Sequence, residues 1–369
     1  MIDVKKFFNF LKKNGISFFT GVPDSVLKET NKYLKNKKKN HHFVTGNEGS
    51  AVALAIGYFL STNKIPCVYM QNSGLGNAIN PLISIAHKKI YSIPMLLLVG
   101  WRGTPGIKDE PQHMVKGAIT IKLLKLLNIK YCVIKTIQDF KKLKKIITYS
   151  RTSKQPVACL ISKGILKDFS KEQFSSKKIY QIKRSIVIKQ LLKDINLKTK
   201  IIATTGFTSR ELYQIRINNN LNKGKDFYMV GGMGHSSMVA LGVAMNTNKE
   251  VICLDGDGSL LMHLGSVVSV GNVLKKNFKH ILLNNFSHES VGGQTTNINN
   301  VNIKQLVLSV GYKNYFEIKD KKNIILVIKK FLKSEGPSFL EVKIDKGTLE
   351  NLTRPRNLLK IKKDFEKSF

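Results

Sequence analysis

The chain has 369 residues, of which 42% are hydrophobic and 23% are charged, and these proportions are typical of a soluble globular protein with two domains, or three. No run of 18 apolar residues occurs, which argues against a membrane-spanning helix, and the lysine-rich start lacks the apolar core of a secretory signal. The four cysteines lie in or beside apolar strand-like runs without metal-type spacing, so we expect buried thiols and a cytoplasmic protein.

The formal net charge of +37 raises the alternative of nucleic-acid binding. Only seven of the 61 basic residues are arginine, however, and the densest lysine patch, at 35–39, has no interleaved aromatic residue. We therefore expect a solvated loop there, no nucleic-acid partner and no membrane partner, although the charge can speed the encounter with an anionic substrate. The alternative, a basic nucleic-acid-binding protein with a degenerate enzyme fold, predicts salt-dependent binding of oligonucleotides.

In the first half of the chain, short apolar runs alternate with segments of helical periodicity. The predicted strands are 16–19, 43–45, 66–71, 94–100, 131–134 and 157–161, and the predicted helices are 2–13, one from near 25, 50–60 and 78–86. The helix at 50–60 is apolar all round, so we expect it to pack inside the domain. The strand at 94–100 is followed by a predicted loop over 104–113.

The second half repeats this alternation, which indicates an α/β fold with two domains, each a mostly parallel sheet flanked by helices. We predict a first domain over 1–170, a lysine-rich linker over 171–184 and a second domain over 185–369. The predicted strands of the second domain are 201–204, 227–230, 251–254, 280–283, one near 307–310 and 337–344, and its predicted helices are 185–193, 236–245, 259–275 and one near 322–333.

Two polar turns follow neighbouring strands of the second half. Gly256-Asp257-Gly258 follows the strand at 251–254, and Asn284-Asn285 follows the strand at 280–283, with 25 residues between the two motifs. A right-handed βαβ connection places both turns at the carboxyl edge of a parallel sheet, where open α/β sheets bind ligands. Two unrelated turns are the alternative, because Gly-Asp-Gly by itself is common.

The chemistry of these turns fits a metal-bound diphosphate. Asp257 offers a carboxylate, Asn285 an amide oxygen and Ser287 a backbone carbonyl, and such hard donors suit Mg²⁺ or Ca²⁺. The two glycines beside Asp257 let the backbone approach a ligand closely. Ser259 is predicted to open a helix whose amide groups face an anion.

Glu48 stands at the amino end of the apolar helix that follows the strand at 43–45. A carboxylate in the first turn of a helix is favoured by the helix dipole, which is one interpretation. The other is a carboxylate aimed into a cleft. Position alone does not separate the two.

Longer stretches resemble the phosphonopyruvate decarboxylases, a group of thiamine-diphosphate-dependent 2-oxoacid decarboxylases, and the spacing of Gly-Asp-Gly and Asn-Asn resembles the diphosphate-binding motif of thiamine-diphosphate enzymes. The resemblance runs over nearly the whole chain and is carried by GVPDS at 21–25, NEGSAVALAIGY at 47–58, VYMQNSGLGNAINPL at 68–82, SIPMLLLVGWRGTPGIKDEPQH at 92–113, TTGFTSREL at 204–212 and LNNFSHESVGGQ at 283–294. The chain is too short for the third domain that most relatives in this superfamily have. Phe286 departs from the pattern, because a small residue such as glycine is more usual at its position.

The resemblance implies the cofactors thiamine diphosphate and Mg²⁺. It implies that Glu48 activates the pyrimidine ring, that the Gly231 carbonyl accepts from the amino group of that ring, and that Met233 bends the cofactor, with simple core packing as the alternative for Met233. The implied cofactor-binding residues are Glu48, Gly231, Gly232, Met233, Gly234, His235, Gly256, Asp257, Gly258, Ser259 and Asn285, and the metal ligands are Asp257, Asn285 and Ser287.

The reaction implied is the decarboxylation of 3-phosphonopyruvate to phosphonoacetaldehyde and carbon dioxide through the thiamine diphosphate ylid, in phosphonate biosynthesis. Sulfopyruvate or another 2-oxoacid is the alternative substrate. The candidates for binding this small anionic 2-oxoacid, each of which is alternatively a loop or cap residue, are Asp24, Arg102, Gln112, His113, His235 and His288. We expect His113 and His288 to carry protons at neutral pH and Asp24 to orient the substrate or handle a proton.

Three other histidines, His41, His42 and His280, are expected to be structural or solvated. The resemblance also implies a homodimer or a higher homo-oligomer with active sites at the interface, because in this family the first domain of one chain faces the second domain of its mate.

Overall fold

The protein is described from a computed structural model, which describes residues 1–35, 37–167, 180–219 and 226–369. The fold divides into two compact units: unit 1 comprises Met1–Gln173 and His288–Gln294, and unit 2 comprises Phe174–Ser287 and Thr295–Phe369. Residues 288–294, which were predicted to belong to the second domain, group with unit 1. Residues 171–179 of the predicted linker lie outside the described residues, and the predicted domain boundaries stay predictions.

Unit 1 is built around a sheet whose described strands are all parallel. Its elements are β1 (Ile2–Asp3), α1 (Val4–Lys13), β2 (Phe19–Gly21), α2 (Lys28–Leu34), β3 (His42–Val44), α3 (Glu48–Thr62), β4 (Cys67–Gln71), α4 (Leu75–Ser84), β5 (Met95–Gly100), α5 (Pro111–Leu126), β6 (Lys130–Ile134), α6 (Phe140–Ser153), β7 (Pro156–Ile161) and β8 (Leu166–Lys167). The strand order is β3-β2-β4-β5-β7-β6, and β1 pairs separately with β8. Every residue of the central strand β5 is buried, as expected for a continuous apolar run covered by helices on both faces.

Unit 2 has the same kind of sheet. Its elements are α7 (Arg184–Asp194), β9 (Lys200–Ala203), α8 (Phe207–Asn218), β10 (Asp226–Tyr228), α9 (Ser236–Met245), β11 (Val251–Gly256), α10 (Asp257–Met262), α11 (Gly265–Val273), β12 (Phe278–Asn284), α12 (Ile303–Ser309), β13 (Asn314–Ile318), α13 (Ile324–Lys333), β14 (Ser338–Lys343) and α14 (Leu358–Glu366). The strand order is β10-β9-β11-β12-β14-β13, again parallel throughout the described strands.

The two six-stranded sheets share one topology. If the strands of each sheet are numbered along the chain, both orders read 2-1-3-4-6-5. In each sheet the first four strands along the chain are adjacent and parallel. Their carboxyl ends therefore lie at the same edge of the sheet, and the polar turns that follow them lie close together. The predicted fold class, two α/β domains with mostly parallel sheets, is confirmed.

Three predicted elements differ from the structure. The single helix predicted over 259–275 is two helices, α10 and α11, with a break between Met262 and Gly265. The strand predicted near 307–310 is the end of helix α12, where Ile303 and Val307 are buried at helical spacing. The loop predicted over 104–113 ends earlier, because Pro111 opens helix α5.

The apolar helix α3 is buried on one face only. Ala51, Val52 and Ala55 are buried, but Leu60 is 68% exposed, so the prediction that the helix packs wholly inside its domain is wrong. Helix α5 also exposes apolar side chains, with Val115 65% exposed. In the described parts of the chain, no helix combines the length and the apolar character that crossing a membrane requires.

Candidate active site

In unit 1, four neighbouring strands end beside one another at the carboxyl edge of the sheet. The strands β3, β2, β4 and β5 are adjacent and parallel. Their ends lead into the turns 45–47, 22–25, 72–74 and 101–103. Three of the predicted site residues, Asp24, Glu48 and Arg102, lie in or directly after these turns.

Glu48 is the first residue of helix α3 and is buried. The side chain of Asn47 caps the helix by accepting from the Ser50 N–H at 2.8 Å, so Glu48 is not the N-cap. Asn77 Nδ2 donates to Glu48 Oε2 at 2.8 Å. Burial raises the pKa of Glu48, and the Asn77 hydrogen bond and the nearby Lys116 charge only partly oppose this, so the carboxyl group takes up a proton more readily than an ordinary glutamate.

The Glu48 carboxyl group rests on Gly74, in the turn between β4 and α4. A Cβ atom at position 74 would lie 2.2 Å from Glu48 Oε1 and 2.5 Å from its carboxyl carbon. Only glycine leaves this space to the carboxylate. The turn at 72–77 therefore positions Glu48, a function that the sequence analysis did not assign to it.

Asp24 lies in the turn after β2 and is buried. Its Oδ2 atom accepts from the Val26 and Leu27 N–H groups at 3.1 Å each, and Gln71 Nε2 donates to Oδ1. Burial raises the pKa of Asp24, while these hydrogen bonds and the charge of Arg102 lower it in part. The carboxylate thus organises the turn between β2 and α2, and its predicted substrate-orienting or proton-handling function stays a prediction.

Arg102 follows β5 and forms a bidentate ion pair with Asp109. The distances are 2.7 Å from Nε to Oδ2 and 2.6 Å from Nη2 to Oδ1, and Nη1 donates to Ser25 Oγ at 3.1 Å. The hydrogen bonds from Arg102 hold the pKa of Asp109 well below its usual range. Because the charge of Arg102 is already balanced, the geometry favours a function in bracing the loop over direct binding of an anion.

Gln112 and His113 lie in the first turn of α5. Two glycines fix the position of this turn: a Cβ atom on Gly103 would lie 1.8 Å from the His113 carbonyl oxygen, and one on Gly117 would lie 1.6 Å from the Gly103 carbonyl oxygen. Gly103 also has a φ of +64°, which glycine adopts without strain. The start of α5 is therefore packed directly against the end of β5.

His288 belongs to unit 1 through the segment 288–294, and the residue is partly exposed. Burial lowers the pKa of His288 to about 4, so the ring is neutral at neutral pH. A neutral ring donates and accepts hydrogen bonds but carries no extra proton. Such a ring is better suited to hydrogen bonding than to carrying a proton at neutral pH, and the predicted function of His288 stays a prediction.

In unit 2, the two predicted turns are adjacent. Strands β11 and β12 are parallel neighbours, with Gly256 opposite Leu283. Asp257 is the first residue of α10, and Asn285 directly follows β12; both are buried. The Ser287 N–H donates to Asn285 Oδ1 at 3.1 Å and also interacts with Asp257. The predicted juxtaposition of Asp257 and Asn285 at strand ends is confirmed.

The donor set around Asp257 fits a hard divalent cation. Thr296 Oγ1 donates to Asp257 Oδ2 at 2.6 Å, and burial raises the pKa of Asp257 to about 6. Within the described ranges, no lysine or arginine forms an ion pair with this carboxylate. A buried carboxylate without a counter-charge, with the Asn285 amide at the end of the neighbouring strand, is the kind of environment that Mg²⁺ stabilises. Thr296 was missed because it lies far from both motifs in sequence.

Contrary to the prediction, Ser259 does not open the helix, and its predicted function in cofactor binding stays a prediction. It is the third residue of α10, not the first. Its Oγ atom accepts from the Gly234 N–H at 3.1 Å and forms a hydrogen bond of 2.8 Å with Thr204 Oγ1. Ser259 therefore ties the glycine-rich turn at 231–235 to the Gly-Asp-Gly motif.

The glycine-rich turn at 231–235 approaches α10 closely. Gly232 and Gly234 have φ values of +63° and +90°, and a Cβ atom on Gly234 would lie 2.5 Å from the His263 ring. Met233 is partly buried and does not belong to the apolar core clusters of the described residues. This favours a projecting Met233 side chain over core packing. His235 is exposed and stacks on His263 at 4.3 Å between ring centroids.

The structure also explains Phe286 and the histidines outside the site. Phe286 has a φ of +57°, a left-handed conformation that favours glycine, and its ring packs against Tyr180. His280 is buried and bonds Tyr312 Oη through Nδ1 at 3.0 Å. His42 is also buried and bonds Tyr69 Oη at 2.8 Å. Both histidines are structural, as predicted.

Comparisons with known proteins agree with this geometry. The family model for the N-terminal TPP binding domain of thiamine pyrophosphate enzymes matches residues 4–124, and the model for their C-terminal TPP binding domain matches residues 204–342. The chain is 31% identical to a phosphonopyruvate decarboxylase of Streptomyces viridochromogenes, over 93% of this chain and 88% of the relative. It is 30% identical to a phosphonopyruvate decarboxylase of Streptomyces hygroscopicus, over 93% and 87% respectively.

A sulfopyruvate decarboxylase of Methanosarcina acetivorans is 27% identical, over 81% of each chain. Matches to both domain models support thiamine diphosphate as the cofactor. The chain belongs to the thiamine pyrophosphate enzyme family, among its 2-oxoacid decarboxylases.

Proposed function

We propose that this enzyme is a carboxy-lyase that converts 3-phosphonopyruvate to phosphonoacetaldehyde and carbon dioxide, in the biosynthesis of phosphonates. The structural observation that supports thiamine-dependent chemistry is the buried Glu48 carboxyl group, which lies against Gly74. The phosphonate substrate is supported by the two phosphonopyruvate decarboxylases, which align with 93% of the chain. The buried, unpaired cysteines agree with a cytoplasmic enzyme.

Glu48 is proposed to hold a proton for the cofactor. Its raised pKa allows the carboxyl group to share that proton with a ring nitrogen, and Asn77 fixes the orientation of the carboxyl group. Thiamine diphosphate, when bound, supplies the carbon nucleophile and the electron sink for loss of carbon dioxide. Gly231 and Met233, in a turn held by Ser259, are proposed to contact the cofactor.

Asp257, Asn285 and the Ser287 carbonyl are proposed to hold Mg²⁺ at the diphosphate. Thr296 orients the Asp257 carboxylate through its hydrogen bond, in the way that outer partners of metal ligands generally do. The glycines at 256 and 258 leave room for the phosphates.

Four residues of unit 1, Asp24, Gln112, His113 and His288, are proposed to face the substrate. His288, which is neutral at neutral pH, is suited to hydrogen bonding. His113 is the remaining candidate of the predicted pair for delivering a proton to the product carbon. Arg102 is proposed to hold the surrounding loop through Asp109.

The exposed apolar side chains of α3 and α5 support a homodimer or higher homo-oligomer. Leu60 on α3 and Val115 and Leu126 on α5 are 68%, 65% and 78% exposed, and a protein–protein interface would bury such side chains.

The substrate assignment is tested by measuring turnover of phosphonopyruvate, sulfopyruvate and pyruvate by the purified protein with thiamine diphosphate and Mg²⁺. We expect the highest kcat/KM for phosphonopyruvate. A higher value for sulfopyruvate would establish the second candidate, which the Methanosarcina relative supports, and a preference for pyruvate would contradict both. Oligonucleotide binding at physiological salt tests the nucleic-acid alternative, and we expect none.

A further inference from the structure

Gln294 ends the segment 288–294 of unit 1, and its side-chain amide is buried without a hydrogen-bond partner. The residue is 3% exposed, and neither Oε1 nor Nε2 has a partner among the described residues. Buried polar groups in native proteins are nearly always satisfied. An amide with both ends unpaired is therefore suited to binding a ligand.

A second carboxamide lies beside it. Asn31, on helix α2, is 1% exposed, and its Oδ1 atom also has no partner in the described structure. A Cβ atom on Gly292 would lie 2.9 Å from Gln294 Oε1 and 3.3 Å from Asn31 Cβ, so the two side chains flank this glycine. A larger residue at 292 would crowd the Gln294 amide.

These amides are joined to two of the proposed substrate residues. Asn31 Nδ2 donates to the Asp24 carbonyl oxygen at 2.9 Å and to the Val291 carbonyl oxygen at 2.9 Å. The His288 N–H donates to the Gln294 carbonyl oxygen at 2.8 Å. Asn31 thus links the turn that contains Asp24 with the segment that contains His288 and Gln294.

We propose that Gln294, with Asn31, recognises the phosphonate group of the substrate, an inference that rests on the proposed function. The Gln294 amide N–H groups donate to a charged phosphonate oxygen. The P–OH group of a singly protonated phosphonate donates its one hydrogen bond to Gln294 Oε1 or to Asn31 Oδ1. A carboxamide both donates and accepts, whereas arginine and lysine only donate.

This chemistry separates two similar substrates. A sulfonate is fully ionised and has no O–H group. It would therefore place an oxygen atom against the amide oxygens without a hydrogen atom between them, and the oxygen atoms would repel one another. A site whose buried acceptors need a donor rejects the analogue that lacks it. The carboxamide pair therefore favours phosphonopyruvate over sulfopyruvate.

The test compares Gln294→Met and Gln294→Glu with wild type in the full-length enzyme saturated with thiamine diphosphate and Mg²⁺. Methionine keeps the shape of glutamine and lacks the amide. We expect Gln294→Met to raise the KM for phosphonopyruvate about 10- to 100-fold, as for a lost hydrogen bond to a charged group, with kcat within about threefold. Gln294→Glu places a charge against the phosphonate and should raise the KM further. The KM for pyruvate, which has no phosphonate, should not change.

Three further readouts separate recognition from a structural function. The melting temperature of Gln294→Met should be unchanged or higher than that of wild type, because two unpaired polar atoms are removed. The wild-type KM for phosphonopyruvate should rise as the second phosphonate proton is lost at higher pH, and Gln294→Met should show less of this rise. Gln305→Met, at an exposed glutamine on α12, is the matched control and should behave as wild type.

If the wild type is active on phosphonopyruvate and both Gln294 variants have an unchanged KM, the inference about Gln294 is overturned and the proposed function is not. A lower melting temperature of Gln294→Met with an unchanged KM would likewise assign Gln294 a purely structural function. A wild type without activity on phosphonopyruvate would instead overturn the proposed function, and the inference with it.

Discussion

The carboxyl group of Glu48 occupies the space in which a side chain at position 74 would stand. A Cβ atom there would lie 2.2 Å from Oε1 and 2.5 Å from Cγ and from the carboxyl carbon. The atoms that would be displaced are the flexible end of a side chain, not backbone. The Glu48 side chain would therefore change rotamer while the fold persists.

Gly74→Ala is expected to retain the fold and to lose most decarboxylase activity. If Glu48 relays a proton, moving its carboxyl group should lower kcat about 10²-fold or more. Steady-state kinetics and thermal unfolding measure the two effects separately. Gly76→Ala, in the first turn of α4, is the matched control, because nothing lies within 4 Å of a Cβ atom at position 76. Full turnover by Gly74→Ala would contradict the placement of Glu48 in the proton relay.

Glu48→Gln is expected to bind thiamine diphosphate and yet to lose about 10²- to 10⁴-fold in kcat. Isothermal titration calorimetry gives cofactor affinity independently of turnover. Because burial raises the pKa of Glu48, the folded state holds this proton more tightly than the unfolded state. The ionised carboxylate is therefore destabilising above the ordinary glutamate pKa, and the cost disappears as the pH falls below it. We expect Glu48→Gln to be more stable than wild type at pH 7, and the difference to vanish near pH 4.

Thr296→Val is expected to weaken metal-dependent cofactor binding while conserving shape. The hydroxyl group donates to Asp257 at 2.6 Å, and removing such an outer partner typically lowers metal affinity about 10- to 100-fold. The measurement is the Mg²⁺ concentration that gives half-maximal binding of thiamine diphosphate. Thr295→Val changes an exposed neighbour and should leave that concentration unaltered. Asp257→Ala should abolish Mg²⁺-dependent binding, and retention of binding by this variant would refute the metal assignment.

The edge that carries Asp257 and Asn285 could be predicted because parallel strands leave a strong local signal. Continuous apolar runs such as Val251–Leu254 end abruptly at aspartate or asparagine, and the right-handed connection between parallel strands then fixes which strand ends lie together. The same logic placed Glu48 after β3. The end of an apolar run is marked by residues that are adjacent in sequence, so it can be recognised before the fold is known.

Contacts between distant segments could not be predicted in this way. Nothing in the sequence around Thr296 indicates that it bonds Asp257, and nothing around Gly74 indicates that Glu48 rests on it. The apolar run near 307–310 was assigned to a strand because a short run does not distinguish a strand from a buried helix face. Helix α5 was not predicted, because Pro111 was interpreted as part of a loop and not as the first residue of a helix.

The ion pair of Arg102 and Asp109 predicts a pH-dependent contribution to stability. Because hydrogen bonds from Arg102 lower the pKa of Asp109, the contribution is fully present above the ordinary aspartate pKa of about 3.9 and is lost as the pH falls toward the lower folded value. Asp109→Asn should therefore lower the free energy of unfolding at pH 7 by about 1 kcal/mol, after allowance for solvent screening. Calorimetry at pH 7 and pH 3 measures the difference, which should shrink at pH 3. An equal difference at both pH values would exclude the ion pair as its cause.

The exposed apolar face of α5 predicts that assembly and activity are lost together. Val115 and Ile119 are 65% and 49% exposed on the same face of this helix, and charges placed in an interface core are strongly unfavourable. The double variant Val115→Glu/Ile119→Glu should shift the protein toward monomers in light-scattering chromatography and lower specific activity at dilute concentration. Because association follows mass action, activity should recover as protein concentration rises. Leu197→Glu, at a position 64% exposed in a loop of unit 2, is the control and should leave assembly intact. A fully active monomer of the double variant would contradict the requirement for an oligomer.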